Sequence, residues 1–272
     1  VRILIVGGSG LLGGEVVRQA TTDGHAVAAT YLTRPGTATG VEWRPLDVRD
    51  RSAVFGLIGV IEPDVVVNAA FRQPDWKTTA VGAAHVAVAA SGKGGRLVHV
   101  SSDAVFSGQA ITYTEDSVPD PVTPYGAAKA AAEVAVQAID PTAVIVRTSL
   151  IIGDGGSVHE SRVHALAAGD TEGVLFTDDV RCPVHVSDLA AALLDLAKSD
   201  RVGVHHAAGA DAMSRYELGR LIARRDGLDP DRLPSGRRAG TGVPGPIDVR
   251  LDCRHTQRYL TTRLRGAREF LK

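Results

Sequence analysis

Tyr125 and Lys129 lie four residues apart in the run Tyr125-Gly126-Ala127-Ala128-Lys129. On a helix that spacing puts the phenol and the ammonium on one face. A phenol with a pKa of about 10 is a poor acid–base group at neutral pH, and a neighbouring ammonium lowers that value by favouring the phenolate. The same ammonium can hydrogen-bond the ribose of a nicotinamide nucleotide. Ser102 closes an apolar run, from where its hydroxyl can donate to a carbonyl oxygen on which negative charge develops. Proton delivery to a carbonyl is the chemistry these three residues suit. The plainer alternatives are an exposed surface pair for Tyr125 and Lys129, and a strand-end cap for Ser102.

A matching hydride source is written near the start of the chain. Gly7-Gly8-Ser9-Gly10-Leu11-Leu12-Gly13 follows the first apolar run directly. Glycines let such a turn adopt unusual dihedrals and bring the backbone against a pyrophosphate, which rests on the helix N-terminus. Gly7, Ser9, Gly10, Leu11, Leu12 and Gly13 are the expected contacts. Asp47-Val48 and Asn68-Ala69-Ala70 follow later runs: the carboxylate can accept from an adenine amino group, and the small residues leave room for the dinucleotide. An acidic residue after the second run would hold a ribose 2′-hydroxyl. Thr30-Tyr31-Leu32-Thr33-Arg34 has none and offers Tyr31 and the Arg34 guanidinium, which suits a 2′-phosphate. NADPH is the expected cofactor, ahead of NADH.

These residues need a scaffold, and the pattern supplies one. Short apolar runs at 3–6, 26–30, 41–46, 65–67, 96–100 and 143–148 alternate with helical patterns at 11–21, 51–59, 77–90 and 124–138. That alternation predicts an α/β fold: a doubly wound parallel Rossmann sheet with ligands at the carboxyl ends of its strands. Residues 154–183 and 209–272 are less regular, apart from a helix over 214–225. They are expected to form a small C-terminal substrate lobe beside a dinucleotide-binding domain of 1–153, to which 184–208 return. The Gly/Pro/Arg segment 234–246 is too long for a mere connector.

With 4% aromatic residues the core must be packed with aliphatic side chains. A formal net charge of −1 gives no footprint for nucleic acid or an anionic membrane. Cys182 and Cys253 stand apart from any metal-like cluster and read as reduced thiols, and no metal is expected. His205-His206 lack partner ligands for a metal site, and His85 reads as a packed histidine. The first apolar run is too short for a secretory leader, and no stretch is long enough to span a bilayer. The expectation is a soluble, cytoplasmic protein acting on a small-molecule ketone, with a homodimer left open.

The glycine loop, the Asn68-Ala69-Ala70 segment, Ser102 and Tyr125–Lys129 together resemble the extended short-chain dehydrogenases/reductases. More narrowly, Val100-Ser101-Ser102-Asp103-Ala104-Val105-Phe106-Ser107-Gly108 is similar to the V-S-T-D-Y-V-F-D-G segment of the dTDP-4-dehydrorhamnose reductases. Similarity continues through Glu133, Arg147-Thr148-Ser149, Asp179, Pro183 and Val186–Ala190, and thins after about residue 230. The resemblance implies reduction of a ketone, commonly C4 of a nucleotide-linked keto-deoxysugar. Tyr125 would be the proton donor, Ser102 would orient the carbonyl, and Asp103 would contact a substrate hydroxyl or else cap a loop. Ala104 stands where the family has Tyr, and Leu150 where it usually has an aromatic residue. A more open, aliphatic pocket follows, and with it a less polar ketone of secondary metabolism as a competing substrate. Arg181 and Arg237-Arg238 are read either as solvated arginines or as ligands of a substrate phosphate. Thr79 falls near a position where relatives place an active-site Asn. The fold also serves NAD-retaining epimerases and dehydratases, and a non-catalytic regulatory subunit that binds NADP.

Overall fold

The computed structural model describes all 272 residues. Seven strands form one sheet: β1 (Arg2–Val6), β2 (Ala26–Tyr31), β3 (Glu42–Pro45), β4 (Val65–Asn68), β5 (Arg96–Ser102), β6 (Val144–Thr148) and β7 (Gly203–His206). Their order is β7-β6-β5-β4-β1-β2-β3, and every pairing is parallel. The direction of winding reverses between β1 and β4, which opens a crevice beyond their carboxyl ends.

Both faces of the sheet are covered. Helices α1 (Leu11–Thr22) and α6 (Val186–Lys198) pack on one side; α2 (Arg51–Ile61), α3 (Gly82–Ser91) and α4 (Pro124–Ile139) pack on the other. Ile3 and Ile5 therefore enter the core under α1 and α6, while Leu4 and Val6 enter the one under α2, α3 and α4. A strand buried on both faces has no polar side, which is why these runs read as unbroken apolar stretches. No helix is long and apolar enough to cross a membrane.

A separate apolar core gathers Leu150, Ile152, Val163, Leu175, Leu218 and Ile222. It is built from α5 (Val158–Ala168), α7 (Arg215–Arg225) and short strand pairs. Helix α5 occupies sequence that reads as irregular. Its start signal is nevertheless present: Ser157 and Glu160 form a reciprocal capping box, as Ser214 and Glu217 do for α7. Periodicity misses α5 because Glu160 is buried while Val158 is exposed, so its apolar residues do not mark a face. The 234–246 segment is anchored as well. Ser235–Gly236 pairs with Leu175–Phe176, and the Val180 N–H donates to the Ile247 carbonyl at 2.7 Å.

Candidate active site

The carboxyl ends of β1 and β4 form the dinucleotide cradle. Gly7 sits at φ +84°, and a Cβ there would lie 2.9 Å from the Ala70 backbone nitrogen. Any larger residue would close the gap between the two strand ends. Gly10 caps α1 with no side-chain hydrogen bond, so the N–H groups of Leu11, Leu12 and Gly13 open the helix without a competing acceptor. Ser9, Gly10 and Leu11 are exposed, whereas Leu12 and Gly13 are buried against the sheet. Asn68 is buried; its Oδ1 accepts from the Ala70 N–H at 3.2 Å, and its Nδ2 faces His99 Nδ1 at 3.3 Å. Burial, aided by the charge of Lys129, holds the His99 imidazole down at about 3, so it is a neutral ring. A cradle of bare N–H groups, held open by a glycine, fits a dinucleotide pyrophosphate.

The adenosine side is more mixed. Tyr31 ends β2 half-buried, and Arg34 is exposed beyond it. Asp47 does not stand free for an adenine amino group: the Arg49 guanidinium grips its carboxylate, with a shortest contact of 2.6 Å. Val48 is buried against Gly82, and its carbonyl oxygen lies 3.0 Å from Nδ1 of the half-buried His85.

Tyr125 and Lys129 fall in the first two turns of α4, which opens on Pro124 and is capped by the Thr123 hydroxyl accepting from the Gly126 N–H. Gly126 itself is required by close approach, since a Cβ there would overlap the Ala104 carbonyl oxygen. That contact presses the turn Asp103–Val105 against the helix and brings Ser102, the last residue of β5, beside Tyr125. Lys129 is buried, donates to the Val100 carbonyl at 2.9 Å, and stands 5.2 Å above the Phe71 ring. Burial lowers its ammonium to about 8 against the opposing charge of Glu133.

The electrostatics correct one expectation. Burial raises the Tyr125 phenol above its ordinary value; the Ser102 hydroxyl opposes the shift, and the charge of Asp103 adds to it. Lys129 gives one of its three N–H donors to Val100, and the phenol's shift follows burial, Ser102 and Asp103 rather than Lys129. A phenol held in its protonated form suits a proton donor better than a base.

Three expected substrate contacts are also corrected. Arg181 is buried and its donors are consumed: Nη1 reaches Asp179 at 2.9 Å and the Val180 carbonyl at 2.6 Å, and Nη2 reaches the Pro246 carbonyl at 2.7 Å. Buried and held this way, the guanidinium points at the protein rather than at an open site. Leu150 is packed in the second apolar core. Asp103 is buried: its Oδ2 accepts from the Ser149 hydroxyl at 2.6 Å and lies 3.7 Å from Arg181 Nε, and its Oδ1 accepts from the Ser102 hydroxyl at 3.3 Å. Ala104 remains half-exposed in the turn beside Tyr125. Thr79 is buried in a π-helical turn (Lys77–Val81), where its hydroxyl both accepts from and donates to the Arg72 backbone.

The structure adds a pocket that sequence reading reached only in part. A cavity of about 270 Å³ has an apolar floor of Val163, Leu175, Leu218 and Ile222, with His159, Arg162, Asp179, Arg215 and Arg238 around it. Arg238 is fixed there by Asp179 at 2.8 Å. Burial and the charge of Arg215 keep His159 down at about 4, so the ring adds no charge. Arg162 and Arg215 carry no local signal: one is the lone arginine of α5, the other one of four on α7.

Comparison with known proteins agrees with this architecture. The family model described as the RmlD substrate binding domain matches residues 1–272. A dTDP-4-dehydrorhamnose reductase of Mycolicibacterium smegmatis is 32% identical over 100% of this chain and 84% of its own. The methionine adenosyltransferase 2 subunit beta of Xenopus laevis is 30% identical over 93% of this chain and 80% of its own. The crystal structure of a hypothetical dTDP-4-dehydrorhamnose reductase from Sulfolobus tokodaii superposes with a TM-score of 0.84. It is 27% identical and covers 98% of this chain and 97% of that one. The chain belongs to the RmlD substrate binding domain family, within the extended short-chain dehydrogenases/reductases.

Proposed function

We propose that this protein is an NADPH-dependent oxidoreductase that reduces the ketone of a nucleotide-linked 4-keto-6-deoxysugar. The observation that carries this reading is the placement of a protonated, half-buried Tyr125 beside Ser102, at the carboxyl edge of a sheet with an uncapped helix N-terminus. Residues 1–153 with 184–208 form the cofactor half, and 154–183 with 209–272 form the substrate lobe. The backbone at Gly7 and Gly10 to Gly13 would hold the pyrophosphate, Asn68 to Ala70 would flank the nicotinamide half, and the exposed Arg34 would meet the 2′-phosphate. NADPH supplies a hydride when bound. Ser102 orients the carbonyl by donating to its oxygen. The Tyr125 phenol gives its proton to that same oxygen, and Lys129 holds the ribose side of the site. Arg162, Arg215 and Arg238 take the diphosphate of the substrate, and the apolar floor takes its base or sugar.

A second reading, a subunit that binds NADP without turning it over, is favoured by the similarity to a methionine adenosyltransferase subunit. The test that separates the two is NADPH oxidation with a dTDP-4-keto-6-deoxysugar, comparing the native chain with Tyr125→Phe. General acid catalysis of this kind contributes about 10²–10⁴-fold, and the variant should lose turnover on that scale with NADPH binding intact. NADPH binding with no turnover on any ketone would favour the subunit.

A further inference from the structure

One carboxylate stands at the centre of the lobe pocket. Asp179 is 1% exposed and faces three guanidinium groups: Arg181 at 2.9 Å, Arg238 at 2.8 Å and Arg215 at 3.5 Å. Each comes from a different piece of chain: the short strand Val180–Arg181, the first residue of α7, and the 234–246 segment. Behind Arg181 lies Asp103 at 3.7 Å, next to Ser102 in the proposed catalytic turn. Three arginines against two aspartates leave this buried cluster one positive charge in surplus. Two of the three arginines, Arg215 and Arg238, line the pocket, and Arg238 Nε is buried with no hydrogen-bond partner. Uncompensated buried charge is costly, so a cluster of this composition is built to be completed by an anion.

We propose that Asp179 is a positioning residue for that anion, an inference that rests on reading the lobe pocket as the diphosphate site. Its two oxygens divide the three arginines. Oδ2 aims Arg238 and Oδ1 aims Arg215 at the cavity, while Oδ1 also turns Arg181 away from it, toward Asp103. Pocket and acid–base turn thereby share one fixed frame, two ion pairs long. Asp179 touches neither the carbonyl nor the cofactor cradle; it acts through the arginines. Charge and position make opposite predictions here. By charge alone, removing an acid beside an anion site tightens anion binding. By position, removing it frees Arg215 and Arg238 to relax out of the geometry that grips a diphosphate.

The test is dTDP binding by calorimetry to protein saturated with NADPH, so that the cofactor cradle cannot accept the probe. Asp179→Asn should weaken dTDP at least tenfold with NADPH affinity unchanged, and Asp179→Glu should fall between it and the native chain. Arg238→Gln should weaken dTDP as well, which locates the probe in this pocket. In turnover, Arg238→Gln should raise KM alone, whereas Asp179→Asn should raise KM and lower kcat, because Arg181 then loses its hold on Asp103. Native or tighter dTDP binding by Asp179→Asn overturns the proposal and leaves the pocket reading standing. No dTDP binding by the native chain overturns both, without touching the NADPH chemistry. Should Asp179→Asn fail to fold, Asp179→Glu decides: native affinity overturns the proposal, and a loss supports it.

Discussion

Two buried ionic assemblies lie in different parts of the molecule, and they are built on opposite principles. Glu133 of α4 and Arg147 of β6 pair at 2.8 Å with 5% and 3% of their side chains exposed. Every side-chain nitrogen and oxygen of the pair has a partner. Arg147 Nη1 reaches the Glu115 and Ser117 carbonyls, and the Ser101 hydroxyl donates to Glu133. Within the pair the charges match one to one, and both side chains are buried. In the lobe, Asp179 is outnumbered by its arginines and the excess opens onto a cavity. A balanced assembly has nothing left to offer a ligand, and its work is to tie β5, β6 and α4 together. An unbalanced one stays costly until an anion arrives, which is the physical signature of a binding site.

Substitutions should separate the two. Glu133→Gln strands the Arg147 charge in the core and should cost about 3–5 kcal/mol in denaturant unfolding. Its dTDP affinity should stay native if it folds; a loss of affinity would mean that the assemblies are coupled. Arg238→Gln removes surplus charge and leaves Asp179 two partners, so its unfolding free energy should move by less than about 1 kcal/mol. A loss as large as that of Glu133→Gln would break the comparison.

The dinucleotide cradle offers a third case, since it uses backbone rather than buried charge. Gly7→Val forces a β-branched residue to positive φ against Ala70, a strain of about 1–3 kcal/mol. NADPH affinity should fall by roughly tenfold or more, while dTDP binding to the lobe is untouched. Arg34→Gln should weaken NADPH by about tenfold and NADH hardly at all, as expected for loss of one charge-assisted contact. An equal effect on both cofactors would remove Arg34 from the 2′-phosphate.

A further comparison concerns pH. Lys129 is depressed to about 8 in the fold from an ordinary 10.5. Between those values the unfolded chain binds the extra proton, so stability gains from this group as pH rises through that window. The gain is complete above the upper value and absent below the lower one. Unfolding of the native chain compared with Lys129→Met should therefore show their difference changing between about pH 8 and 10.5, in favour of the native chain. A flat difference would place the ammonium in a wetter environment than its burial indicates.

The parts of the site legible in the sequence share one property: their geometry is local. Tyr125 and Lys129 are aligned by helical spacing, Pro124 marks where that helix starts, and Gly7 to Gly13 lie within one strand–helix turn. The parallel sheet was equally readable, because strands covered on both faces must be apolar throughout. Leu150 and Arg181 show where such reading stops. Leu150 stands at a position that the family resemblance sets near the sugar and Arg181 was open to a substrate phosphate, yet one packs into an apolar core and the other bonds carbonyls. The Pro246 carbonyl that takes the Arg181 guanidinium lies 65 residues further along the chain, and no local pattern announces it.

By itself, then, the sequence determined the α/β scaffold, the dinucleotide turn and the Ser102–Tyr125–Lys129 constellation, since each follows from spacing within a few turns or from unbroken apolar runs. Only the tertiary structure decided which charges are buried together. Asp103, Asp179, Arg181, Arg215 and Arg238 come from four separated stretches, and no local pattern says that they meet. Their meaning arises from low-dielectric proximity and an unbalanced charge count, and neither exists until the chain has folded.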